Sequence, residues 1–208
     1  MRTLKHILAV IFLLSPSPSA AWNNGQAGNA STNDPSECDN PPYATHDWIA
    51  DRALALLPDN EKAWLLPHKR LYLLGTEAPD NNDIPNQCGA PNNGYDDKSS
   101  GHSVEWAADW SGFAEENGKK KDRAAWRSKE EYEKASSAFK SGNRSAAAFY
   151  LGAMAHYIGD VSQYGHSVPF EKHHSDYEGW AAARTKSFDD GPFVSYIKLD
   201  KLVSKTPY

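Results

Sequence analysis

Cysteine occurs only twice in 208 residues, so any metal chemistry in this chain must be built from imidazoles and carboxylates rather than thiolates. A basic surplus is lacking too: 22 Lys and Arg stand against 27 Asp and Glu, a formal charge of -5. That balance argues against a broad phosphate-gripping face of the nucleic-acid-binding kind. It does not exclude a nuclease, because bound divalent metals supply positive charge locally. No apolar run of membrane-spanning length occurs after the first 21 residues, no alternation is long enough to build a sheet, and no internal repeat is present. Aromatics and histidine, by contrast, are plentiful, with seven Trp, ten Tyr and eight His. Such a chain is not a disordered or collagen-like polymer, and its length suits one domain with a buried core.

At the N-terminus, Arg2 and Lys5 precede the apolar run Ile7 to Leu14, followed by a Ser/Pro/Ala segment with small residues at Ser19 and Ala21. This is the pattern of a secretory signal peptide spanning 1–21, whose removal makes Trp22 the first residue. Losing Arg2 and Lys5 and no acidic residue takes the charge from -5 to -7. The domain expected after cleavage is 22–208, secreted to the periplasm or the cell exterior and without a transmembrane span. An oxidising compartment makes a disulfide between Cys38 and Cys88 the natural pairing, with two unpaired thiols as the alternative.

Residues 22 to 41, rich in Asn, Gly, Ser and Pro, read as irregular. Apolar spacing predicts a helix over Tyr43 to Leu57 stopped by Pro58, and a second over Asn60 to Gly75 broken or kinked at Pro67. Thr76 to Gly101 is too dense in Asn, Asp, Gly and Pro for regular structure, and so long a loop in a compact domain is usually functional. Helices are expected again over Ala124 to Phe139, Arg144 to Tyr157 and Ser175 to Thr185, with a shorter element near Val194 to Val203. The fold expected is all-α, a single-domain helical bundle with one long ordered loop.

His156 and Asp160 stand i,i+4 on one helical face, and His174 and Glu178 repeat that spacing on the next helix. His166 lies in the turn between them, His46 sits in the first helix, and Asp80 and His102 bracket the long loop. Each taken alone has an ordinary reading: His46 as a half-buried helix residue, Asp80 as a turn former, His174 and Glu178 as a surface pair. His156 is the exception, because an imidazole in the apolar stretch Phe149 to Gly159 requires a partner. Together these groups suggest a multinuclear metal site.

The run Ala148-Phe-Tyr-Leu-Gly-Ala-Met-Ala-His-Tyr-Ile-Gly-Asp-Val, then His166 and His174-Ser-Asp-Tyr-Glu178, resembles the core motif of the secreted zinc-dependent bacterial phospholipases C. Thr45-His-Asp-Trp-Ile-Ala-Asp-Arg-Ala is similar to that family's first helix, and Leu74-Gly-Thr-Glu-Ala-Pro-Asp80 to its second acidic motif. The order agrees from Trp22 to Trp180. The resemblance implies an all-α bundle with a trinuclear metal cleft holding three zinc ions per chain. It places the amine and carbonyl of Trp22, with His46 and Asp160, on one ion, and Asp80, His102, His156 and the bridging Asp160 on a second. His166, His174 and Glu178 fall on the third. It further implies a monomeric phosphodiester hydrolase working on phospholipid at a membrane surface, yielding diacylglycerol and a phosphorylated head group, with Asp80 doubling as the general base. Only thirty residues follow Glu178, which implies shortened C-terminal helices.

Choline-selective members of that family carry an acidic residue soon after the N-terminal Trp and an aromatic one after the loop Asp. Gly25 and Asn81 stand at those positions here, so choline preference does not follow; Asp47, Glu77 or the Tyr95-Asp-Asp segment are candidates for a replacement acidic pocket. Two alternatives stay open: a trinuclear zinc single-strand nuclease, disfavoured by Val168-Pro-Phe and Glu178 where those enzymes carry Gly-Gly-Asn and Asp, and a secreted metal-binding protein without turnover.

Overall fold

Helix boundaries follow local chemistry. The computed structural model describes residues 43–81, 84, 88–92, 94, 95, 97, 101–107, 109, 111–167, 172–189 and 191–194. Helix α1 spans Thr45–Leu56, and the Asp47 carboxylate accepts the backbone N–H of Ala44 at 3.0 Å, satisfying an amide at the helix entry. The second expected helix is cut into three pieces: α2 at Asp59–Lys62, a 3-10 turn at Leu66–His68 and α3 at Lys69–Glu77. Pro67 causes the break, since it has no amide to donate and its ring opposes the carbonyl one turn back. The expected loop loses its first residues to structure, with Thr76 and Glu77 closing α3 and Ala78–Asp80 forming a 3-10 turn.

Helix α4 covers Arg123–Lys140 and ends at Gly142, whose positive φ of 84° suits the residue that closes a helix. Helix α5, Arg144–Ser162, starts where the Asn143 side chain accepts the amide of Ala146 at 3.1 Å. It runs beyond the expected end at Tyr157, so His156 and Asp160 share one regular helix. A 3-10 turn at Tyr164–His166 and helix α6 at His174–Ala182 complete the helical set among the described residues. Among the described residues, the one ladder is the hairpin of β1 (Glu115–Glu116) and β2 (Lys119–Lys120). Asn117 and Gly118 turn it with φ of 53° and 74°, the pair of positive values that a tight hairpin requires.

The chain is thus all-α, with α5 at the centre, packed by α4 on one side and α3 on the other, and α1 against both α3 and α5. One apolar cluster joins Leu71, Leu74 and Ala78 to Phe149 and Ala153, with Ile84 and Cys88 of the long loop buried into it. A second joins Ala50 and Leu54 of α1 to Leu65, Tyr72 and Ala148. Helices α3 and α5 touch backbone to backbone: a Cβ on Gly75 would fall 2.0 Å from the Phe149 carbonyl oxygen, and one on Gly152 1.9 Å from that of Tyr72. This contact fixes the relation between the helix bearing His156 and the one leading to Asp80. No helix among the described residues is long and apolar enough to cross a membrane. Trp22, Cys38, the segment 1–21 expected to be a signal peptide and most of Val194 to Val203 lie outside the described residues.

Candidate metal centre

Three helices, two 3-10 turns and the bend at His102 deliver the polar side chains to two clusters. Asp160 projects from the last turn of α5 and is fully buried. His46 Nε2 from α1 faces its Oδ1 at 3.3 Å, while His156 Nε2 and His102 Nδ1 face its Oδ2 at 3.1 and 2.8 Å. The rings of His46 and His156 stack with centroids 3.8 Å apart. Asp80, at the end of its 3-10 turn, extends the group, with His102 Nε2 3.3 Å from Oδ1 and His156 Nε2 3.8 Å from Oδ2. Separately, His166 and Glu178 are 3.5 Å apart, and His174 Nε2 lies 3.1 Å from His166 Nε2 and 2.5 Å from Glu178 Oε1.

Hydrogen bonds behind the rings orient them. His156 Nδ1 donates to the Thr76 carbonyl at 2.6 Å; near the C-terminal end of α3 the carbonyls run out of intrahelical partners. Nε2 of His156 is therefore the nitrogen with a lone pair, and it faces the carboxylates. His102 Nε2 lies 3.1 Å from the Asp97 carbonyl. Burial opposes charge on His156 and lowers its pKa. Burial also works to lower that of His102, but its bond to Asp160 and the charges of Asp80 and Asp160 prevail and raise it to about 9. Burial would raise the Asp160 pKa, yet the surrounding His156, His46 and His102 hold it well below the carboxylate range.

Every expected ligand within the described residues falls into one of three groups: His46, His156 and Asp160; Asp80, His102 and His156; and His166, His174 and Glu178. Zinc with ligands about 2.0–2.1 Å away in a tetrahedron separates its ligand atoms by about 3.3 Å. The contacts of 3.3 and 3.5 Å linking His46 to Asp160 and His166 to Glu178 match that edge. Asp160 Oδ1, buried and without a hydrogen bond, is a further sign of an oxygen shaped for a cation. The residues present fit zinc.

Several neighbours carry no obvious sequence signal. Thr76 acts through its backbone carbonyl, which residue type does not reveal. Asp47, a candidate for a head-group pocket, instead accepts Ala44 N and the Thr76 hydroxyl, the latter at 2.9 Å, and burial raises its pKa to about 6. Asp97 of the Tyr95-Asp-Asp segment is likewise engaged, by Arg127 and Tyr157. Glu77 is fully buried in the last turn of α3. Asp47 and Glu77 are therefore buried, whereas Asp97 also lines an open cleft with Lys119, Lys120, Asp122 and Glu130. His68 and His173, which the motif leaves out, lie outside all three groups.

An all-α bundle that gathers imidazoles and carboxylates into three groups able to hold metal ions has the makings of a metallohydrolase. Residues 45–203 match the zinc dependent phospholipase C family. The chain belongs to that family and is a zinc-dependent hydrolase of phospholipase C type. Among curated proteins and solved structures, no match is found.

Proposed function

We propose that the chain hydrolyses phospholipids, releasing diacylglycerol and a phosphorylated head group, with three zinc ions held by the ligand set above. The observation that carries this reading is the shared Asp160, whose two oxygens face separate sets of imidazoles. His46 and Asp160 would hold the first ion together with the amine and carbonyl of Trp22, once residues 1–21 are removed. Asp80, His102, His156 and Asp160 would hold the second, and His166, His174 and Glu178 the third. When bound, the zinc ions neutralise the phosphodiester and activate water.

The protein's own groups do the remaining work. Asp80 is only partly buried, so it can reach both ligand positions and a water molecule. As general base it accepts the proton of a water whose oxygen attacks phosphorus. The P–O bond to the glycerol oxygen breaks, and the departing diacylglycerol oxygen takes up a proton from solvent water, to which Asp80 then returns the one it accepted. Carboxylates at Asp80, Asp160 and Glu178 offset the dense positive charge, while the Thr76 carbonyl keeps His156 in its metal-facing tautomer. The domain is proposed to span 22–208 as a secreted monomer, with Cys38 bonded to Cys88, which is buried against Leu71 and Phe149.

Incubating the processed protein with phosphatidylcholine, phosphatidylethanolamine and single-stranded RNA tests the reading. Diacylglycerol from either lipid is expected. Turnover of RNA alone would replace it with a nuclease, and zinc uptake without turnover of any substrate would make the chain a metal-binding protein.

A further inference from the structure

Outside the ligand set, a polar network centred on Asp97 reaches the metal centre. Gly94 opens it: its φ of 96° is open to glycine, and a Cβ there would lie 1.7 Å from the Asn81 carbonyl oxygen. That close approach docks the loop on the Ala78–Asp80 turn, with Tyr95 N donating to the Ala78 carbonyl at 2.7 Å and Asp97 N to that of Pro79 at 2.6 Å. The carbonyl of Asp97 then lies 3.1 Å from His102 Nε2. Asp97 thus sits between the segment bearing one ligand, Asp80, and the side chain of another, His102.

The Asp97 side chain is clamped from two helices. Arg127 Nε of α4 donates to Oδ2 at 2.6 Å, and the Tyr157 hydroxyl of α5 donates to the same oxygen at 2.5 Å. Arg127 Nε is also 3.1 Å from the Tyr157 hydroxyl, closing a triangle beneath His102. Arg127 is 11% and Asp97 18% exposed at the side chain. Burial pushes the Asp97 pKa up, but Tyr157 and Arg127 outweigh it and keep the carboxylate ionised. An ion pair with bonds of this length in a half-buried place is stiff, unlike an exposed surface pair.

We propose that Arg127 and Tyr157 are positioning residues for the metal centre: by clamping Asp97 they aim its carbonyl at His102 Nε2, fixing the proton there and presenting Nδ1 to the metal. This inference rests on the ligand set proposed above. The geometry at His102 fits the assignment. Nε2 has two acceptors, the Asp97 carbonyl and Asp80 Oδ1, and both favour a hydrogen on that nitrogen. Nδ1 faces Asp160 Oδ2 at 2.8 Å and His156 Nε2 at 3.1 Å, two of the three other donors proposed for the same ion. Without the clamp, the Asp97 carbonyl would be free to turn, and His102 would sample the opposite tautomer or a flipped ring.

Processed protein stripped of metal and titrated with zinc against a chromophoric chelator tests this, alongside Tyr157→Phe, Arg127→Gln and Arg127→Lys. One zinc step is expected to weaken roughly tenfold in Tyr157→Phe and Arg127→Gln, with the other steps unchanged and partial rescue in Arg127→Lys. Cobalt(II) substitution should show an altered visible spectrum for that one ion. Tyr157→Phe removes a single hydroxyl, so its metal-free melting temperature serves as the control for folding. Wild-type protein that takes up zinc while both variants bind every ion as tightly would overturn the positioning role alone. So would losses of affinity that merely track a lower metal-free melting temperature. Wild-type protein that binds no zinc would overturn the ligand set itself.

Discussion

At the scale of single residues, the site is a problem of charge compensated in a buried place. Asp160 is the residue on which the account turns, because it faces His46, His102 and His156 at once. Asp160→Ala should lower the zinc content by two ions per chain, whereas His174→Ala should lower it by one; metal analysis of both variants checks the difference. The metal-free chain also has a distinct pH response. His102 has its pKa raised to about 9, above the value of about 6.5 for an unfolded histidine. The protonated ring therefore stabilises the metal-free fold fully below about pH 6.5, and that contribution disappears as pH rises through 9. Melting of chelator-treated protein should fall in temperature over this interval. Zinc-loaded protein should not show the decline, since bound metal requires the imidazole already deprotonated.

At the scale of elements, precision comes from where helices begin, end and touch. The i,i+4 pairs on α5 and α6 were legible because helical spacing alone puts His156 with Asp160 and His174 with Glu178 on common faces. The Pro67 break was legible as well, since proline's missing amide acts locally. What spacing could not reveal was contact between elements: the Thr76 carbonyl behind His156, the Asp97 carbonyl beside His102, and the diversion of Asp47 into a cap. These depend on which backbones meet. The Asn117–Gly118 turn carried a local hairpin signal, but two-residue strands are too short for alternation to show. Gly152→Ala should destabilise the fold by about 1–3 kcal/mol or more, because backbone atoms rather than a flexible side chain occupy the space. Thermal unfolding would register this as a drop of roughly 2–4 °C per kcal/mol, with zinc affinity falling too as α3 and α5 separate. Asp47→Ala should cost about 1–2 kcal/mol through the lost cap and Thr76 bond, and denaturant midpoints would measure it.

At the scale of the whole molecule, the low cysteine content and excess of histidine now have a physical account. One histidine lies in residues 1–21, proposed to be removed, five fall in the metal groups, and two have no part in them. The helices supply a frame in which α5 buries Asp160, with His46 of α1 and His102 facing it and Asp80 beside His102 and His156. The family match begins at Thr45, so the role of Trp22 is the part of the ligand set that depends on processing of the N-terminus. Placing one extra residue before Trp22 should remove a single zinc ion and most activity while leaving the other two ions bound. The most direct measurement of the central claim is the zinc content of the purified processed protein. The account predicts about three ions per chain, and a content of one or none would contradict it.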